Sequence, residues 1–179
     1  AYLPYLSMPD PSVTRKSGFL MPSGIVSDKL GYGVSVPYYW ALSPYYDVTT
    51  ILTPLTKQGV FGDVEYRHRF AAGEVSVSAA GLFQAQPSNF TTDRADDRWR
   101  GAVNSTASFS IARDWTLGWN LTYKSDRQFF KDYSFTSFGD NGETSTIYLE
   151  GKTDRNALSV KAYAYQISQE DYTDSQFNA

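Results

Sequence analysis

The chain has 179 residues, with 16 basic and 19 acidic side chains, a formal charge of −3 and no cysteine. That balance gives no electrostatic case for nucleic acid, and the missing thiols exclude a disulfide framework or a thiolate metal site within these residues. Tyrosine (14), phenylalanine (11) and tryptophan (4) are prominent at a mean hydropathy of −0.41, which suits β-structure with one apolar face better than disorder. No run approaches the roughly 18 apolar residues of a membrane-crossing helix. The start, Ala1-Tyr2-Leu3-Pro4, has neither an initiator methionine nor a signal-peptide pattern, so the chain reads as a segment of something longer.

In chain order, the first predicted elements lie between Ser17 and Asp47. Two β-like runs there each contain a proline, Pro22 and Pro37, and the polar turn Ser27 to Gly31 joins them. Proline has no amide hydrogen to give a ladder, so it is confined to edges, first residues and bulges. Two adjacent strands that each carry one predict a sheet margin with weakened pairing. From Val60 to Phe70, strict alternation sets Asp63, Glu65, Arg67 and Arg69 against Val64, Tyr66, His68 and Phe70. A turn at Ala71-Ala72-Gly73 leads into a strand over Val75 to Gln86, with Val75, Val77, Ala79 and Phe83 aligned. The run Arg100 to Ala112 places Val103, Ala107, Phe109 and Ile111 opposite Asn104, Thr106, Ser108 and Ser110. After the turn Arg113-Asp114, Trp115 to Tyr123 puts its tryptophans, leucines and Tyr123 on one face and Thr116, Gly118, Asn120 and Thr122 on the other. Further strands are predicted near Ser145 to Lys152 and Leu158 to Ile167, joined by Thr153 to Asn156.

Connection lengths alternate. Short turns follow the second, fourth, sixth and eighth strands, while the links Pro87 to Asp97 and Asp126 to about Glu143 are long. Outer-membrane barrels have this asymmetry of rims, and strands of about 9–11 residues match a tilted crossing of hydrocarbon. Tyr45, Tyr46, Trp99, Trp115 and Tyr123 near strand ends suit interfacial girdles. The predicted class is all-β: an antiparallel up-and-down sheet of about eight strands, read as an arc of a large transmembrane β-barrel. A small closed barrel acting as a passive pore or anchor is the alternative.

No enzyme is predicted. His68 is the one histidine and has no HExxH or GxSxG context, so no catalytic, metal or cofactor site is assigned. A lipid hydrolase or acyltransferase would need a nucleophile–base pair that the chain does not advertise. Asp93, Asp96 and Asp97 read as solvated loop charge in preference to a cation site, and Asp140-Asn141-Gly142 reads as turn chemistry.

Several landmarks carry a family resemblance. They are Tyr2-Leu3-Pro4-Tyr5 with Met8-Pro9, Arg15 to Leu20 with Pro22-Ser23, Val36-Pro37-Tyr38-Tyr39-Trp40, and Pro44 to Asp47 with Thr53-Pro54. Asp97-Arg98-Trp99-Arg100-Gly101, Ser125-Asp126-Arg127 and Asp132-Tyr133 continue the pattern. In these the chain resembles the LPS-assembly (LptD) family of Gram-negative outer membranes. The resemblance implies a periplasmic β-jelly-roll that feeds lipopolysaccharide into a large barrel. It further implies a plug lipoprotein, periplasmic LPS-bridge proteins reached through the jelly-roll, and outer-membrane lipids as partners. Residues 1–16 would then hold the last jelly-roll strand (about Ala1 to Ser7) and the hinge (Met8 to Lys16), and 17–179 the first barrel strands. Pro22 and Pro37 would correspond to the family's prolines at one side of a lateral gate.

On that reading Asp47, Asp63, Glu65, Arg67, Arg69, Asn104 and Asn120 face a wet lumen and solvate sugars, with Arg67 and Arg69 able to meet phosphates. Cross-strand ion pairs that fix register account for the charged four equally well.

Overall fold

The computed structural model describes residues 15–90, 98–126, 128–134, 144–152 and 156–165. Within them ten strand segments form one antiparallel sheet: β1 (Gly18–Phe19), β2 (Ser23–Ser27), β3 (Gly31–Trp40), β4 (Tyr46–Leu55), β5 (Gly59–Phe70), β6 (Gly73–Phe83), β7 (Trp99–Ala112), β8 (Trp115–Lys124), β9 (Thr144–Lys152) and β10 (Ala157–Tyr165). Neighbours in space are neighbours in sequence, except that β1 and β2 both pair with β3. They are two halves of one broken strand, so the rows number nine, close to the eight or so expected. Among the described residues β10 pairs with β9 alone and the β1–β2 row with β3 alone, leaving the sheet open.

The break follows from register. Gly18 and Phe19 oppose Tyr39 and Tyr38, whereas Ser23 to Ser27 oppose Ser35 to Gly31. Three residues (Leu20, Met21 and Pro22) therefore stand against two (Val36 and Pro37). One extra residue in one strand is a β-bulge. Pro22 thus lies outside both strand segments, where period-two reading had placed it inside a single run.

The two faces differ as the alternation demands. One carries Asp47, Thr53, Asp63, Ser78, Thr122 and Lys124, all buried. The other exposes Val34, Leu52, Val60, Val64, Val77, Val103, Leu121, Ile147 and Val160, which cross-strand register joins into a band running from β3 to β10. A contiguous exposed apolar band of this extent is out of place in water. Aromatics gather at both ends of it. Phe83 and Trp99 meet edge-on at 5.2 Å near one rim, and near the other Phe19 meets Tyr38 edge-on while Tyr38 lies tilted against Trp40.

The hydrophobic core sits at one end of the polar face. Four connections meet at that rim, described over 28–30, 56–58, 84–90 with 98, and 125–126 with 128–134. The last of these holds a single helical turn, α1 (Phe129–Asp132). Phe129 and Tyr133 are fully buried, and their rings lie 6.2 and 5.4 Å from Phe61 of β5. Leu30, Leu55, Ala80, Leu82, Phe90 and Ala102 complete the cluster. We refer to this as the cap.

Candidate functional site

The sequence-predicted polar residues fall on the face that holds the cap. Asp47 stands opposite Arg67 in the β4–β5 ladder, because the 56–58 turn that joins the two strands fixes that register. Its carboxylate is 2% exposed and accepts from Arg67 Nε at 2.8 Å, Tyr39 hydroxyl at 3.2 Å and Arg15 at 3.2 Å. Glu65 accepts from Ser76 Oγ at 3.3 Å, and Arg69 lies 3.7 Å from Glu74 on an exposed stretch. Asn104 donates to Asn120 Oδ1 at 2.9 Å and to Thr122 Oγ1 at 2.8 Å. Asp63 is buried between Ile51 and Ala80 in register.

Arg15, Asp47, Glu65, Arg67, Arg69 and Asn120 thus share a trough of about 760 Å³. Asp63 and Asn104 lie on the same face outside the trough's lining. Cationic groups offer the trough their outward side: Arg67 and Arg69 stay substantially exposed, while Asp47 is occupied. Asp47 therefore orients the two arginines while its own oxygens are taken up. Replacing Asp47 with asparagine is expected to loosen Arg15 and Arg67 and to cost about 1 kcal/mol, since both arginines are half screened by solvent. The check is the temperature at which the full-length barrel loses its compact electrophoretic form.

His68 stacks on Phe70 with centroids 4.0 Å apart and shares a 2.8 Å hydrogen bond with the Tyr66 hydroxyl. It sits between the two aromatics expected around it. Among the described residues no group of three metal-ligating side chains occurs. The loop acids Asp93, Asp96 and Asp97, the Asp140-Asn141-Gly142 turn and the Thr153–Arg155 part of the last turn lie outside the described residues, as does the whole stretch 1–14.

At the sheet margin, Leu20 donates its amide to the Pro37 carbonyl at 3.0 Å. In an antiparallel pair of this kind the facing residue returns a second bond through its own N–H, and Pro37 has none. The bulge at Pro22 and the missing donor at Pro37 therefore act on one spot. A third proline, Pro54, was visible in the sequence only as a landmark. It stands opposite Val34, and the β3–β4 ladder pairs Gly33 with Leu55 and Val36 with Leu52 but skips the two rows between. Its neighbour Thr56 repairs the next position, donating its amide to Tyr32 O and accepting the Tyr32 amide on Oγ1.

The cap contains a buried ion cluster that pattern reading missed. Arg100, fully buried, donates to Asp126 Oδ2 at 2.8 Å and Oδ1 at 2.6 Å, and to Asp132 Oδ2 at 2.9 Å. Its guanidinium also lies over the Phe90 and Tyr133 rings. Burial pushes the Asp126 carboxyl up, but the hydrogen bonds and charge of Arg100, with Ser125 and the Gln128 amide, outweigh it and hold the group below its ordinary value. Burial raises the Tyr133 phenol, whose oxygen accepts from Gln84 Nε2 at 2.7 Å.

Comparison with known proteins gives one consistent result. The family model described as LPS transport system D (LptD) matches residues 98–179. An LPS-assembly protein LptD of Shewanella oneidensis is 34% identical over 136 residues, 73% of this chain and 16% of that protein. The Haemophilus influenzae protein of the same name is 30% identical over 74% of this chain and 16% of its own length. That of Mannheimia succiniciproducens is 28% identical over 94% of this chain and 21% of its own. The chain spans about a sixth to a fifth of the length of these curated relatives. With one family matched over residues 98–179, and relatives of that family 30–34% identical over about three quarters of the chain, the chain belongs to the LptD family.

Proposed function

We propose that this chain forms the amino-terminal arc of an outer-membrane barrel that carries lipopolysaccharide to the outer leaflet, its first strand being one side of a lateral gate. The observation that carries the reading is the margin of the sheet. The first strand is broken at Leu20–Pro22, and the residue facing the break, Pro37, gives no amide in return. Residues 1–16 serve as the end of a periplasmic jelly-roll and its hinge, and 17–179 as barrel wall.

The physics of the cargo matches the two faces. Lipopolysaccharide has a sugar-phosphate head and several acyl chains, so it needs a wet polar path beside an exit into hydrocarbon. Asp47, Asp63, Glu65, Arg67, Arg69, Asn104 and Asn120 supply the polar side, and the apolar band meets lipid. Unpaired backbone costs several kcal/mol per group in hydrocarbon, so an open sheet placed there must be completed by further strands. That favours a large barrel over the passive small barrel, whose first and last strands would pair with each other. A plug lipoprotein, periplasmic bridge proteins and outer-membrane lipids are the partners. No bond of the cargo need be made or broken.

The test is site-specific photocrosslinking in the full-length protein from positions 22, 37 and 67. Capture of lipopolysaccharide at these positions is expected while export runs. A working complex that captures none at any of the three rejects the reading.

A further inference from the structure

The turn of the first hairpin, Asp28–Leu30, is gripped by all three other connections at its rim, as far as these are described. From the β4–β5 turn, Lys57 Nζ donates to the Asp28 carbonyl at 2.7 Å and Gln58 Nε2 to the Lys29 carbonyl at 3.1 Å. From the β6–β7 connection, Asn89 Nδ2 donates to the same carbonyl at 3.2 Å. From the β8–β9 connection, Asp132 Oδ1 meets Lys29 Nζ at 3.3 Å while its other oxygen holds Arg100. Gln58 and the Asp132 side chain are buried, so the turn is held by partners shielded from water. Leu30 inserts into the cap core, and Gly31 closes the turn at φ +79°, where a Cβ would collide with the Thr56 hydroxyl.

Restraint falls away along the same strand. At mid-length stand the bulge and the unreturned bond at Pro37. At the far end the β1–β3 ladder is two residues long, with Phe19 edge-on to Tyr38, and the side-chain ties are the Ala41 amide donating to Ser17 Oγ at 2.8 Å and a half-exposed Arg15 on Asp47. A strand pinned at one end and interrupted in its middle bends about the pinned end, since packed contacts give way less readily than a bulge.

The geometry points to a hinge: the first strand bends away from β3 about its cap-latched turn, which stays engaged while the seam opens, and the opening is widest toward the opposite rim. This rests on the lateral-gate reading and adds to it a pivot and a direction.

Two cysteine bridges in the full-length protein, each closed with a short bis-maleimide in cells, test it. Asp28→Cys with Lys57→Cys joins the two exposed turns and leaves the Arg100 cluster intact. Ser23→Cys with a cysteine on the barrel's closing strand locks the seam itself. The expected result is that the seam bridge lowers lipopolysaccharide export by roughly tenfold or more while the turn bridge changes it by less than about twofold. Export stopped by both bridges keeps the gate and overturns the hinge. Export untouched by the seam bridge overturns the gate, and the hinge with it.

Discussion

Replacing Arg100 with methionine is expected to destabilise the cap by about 3–5 kcal/mol, the usual cost of removing one partner from a buried ion cluster. Two carboxylates, Asp126 and Asp132, would be left in an apolar surround without the guanidinium that both accept from. Phe90 and Tyr133 would also lose the planar cation that fills the space between them. Lysine at this position is no substitute, because it cannot give Asp126 two parallel bonds and reach Asp132 as well. Removing all three charges together for apolar residues of similar volume should restore much of the loss. Hydrogen exchange reads the effect directly at the Asp132 and Tyr133 amides, which bond to the Gln128 and Phe129 carbonyls. Those amides should lose protection in Arg100→Met and regain it in the triple variant.

Acid should imitate the substitution, with a definite sign. Asp126 has a lowered folded value, so its contribution is complete above the ordinary carboxyl value of about 3.9 and is lost as pH falls through the lower folded one. Protection of the cap amides should be flat from neutrality to about pH 5 and fall only in stronger acid. A fall centred near neutrality would show that Asp126 is not the group holding the cap.

The second large effect is expected from the prolines. Pro37→Thr restores an amide facing Leu20, worth about 0.5–1.5 kcal/mol as a net hydrogen bond. Pro22→Ser removes the residue that cannot donate within the bulge. Since Pro22 has no facing residue in the register, the double variant should make the margin harder to open by about 0.5–1.5 kcal/mol, which slows an opening-limited export by roughly 2–12-fold. The measurement is the rate at which newly made lipopolysaccharide reaches the cell surface. An unchanged rate in the double variant, with the barrel correctly folded, would count against the gate. Pro54→Thr provides a contrast. It repairs the β3–β4 ladder behind the hairpin and should slow export less, because that ladder need not part.

The sheet was legible in the sequence because its code is local. A wall between polar and apolar surroundings forces period-two alternation, and Val60 to Phe70 and Trp115 to Tyr123 display it residue by residue. The bulge was not legible. A one-residue shift leaves composition unchanged and merely swaps which residues share a face, so Pro22 could not be distinguished from a proline within a continuous strand. The cap was not legible either, since its contacts join residues far apart in the chain. Lys29 meets Asp132, and Gln84 meets Tyr133. One local sign was present: Phe129, Phe130, Tyr133, Phe135 and Phe138 crowd into an otherwise polar link, and aromatics at that density need cover. The landmarks around Arg100, Asp126 and Asp132 were noticed as family resemblance, and their shared ion cluster gives them a physical reason. The candidate polar residues were chosen by face. The alternation set the face, but Asp47's occupation by two arginines and a tyrosine needed side-chain geometry.

The order of rows in the sheet constrains how such a wall is made. Each row after the first docks on the hairpin synthesised just before it, so loop-closure entropy is small at every step and the wall can grow by accretion. The free margin of the first row is the exception. That margin is unpaired among the described residues; on the barrel proposed above, the strand that completes it comes from distant sequence, so that join forms last in assembly, and the site of latest closure coincides with the site of least cohesion.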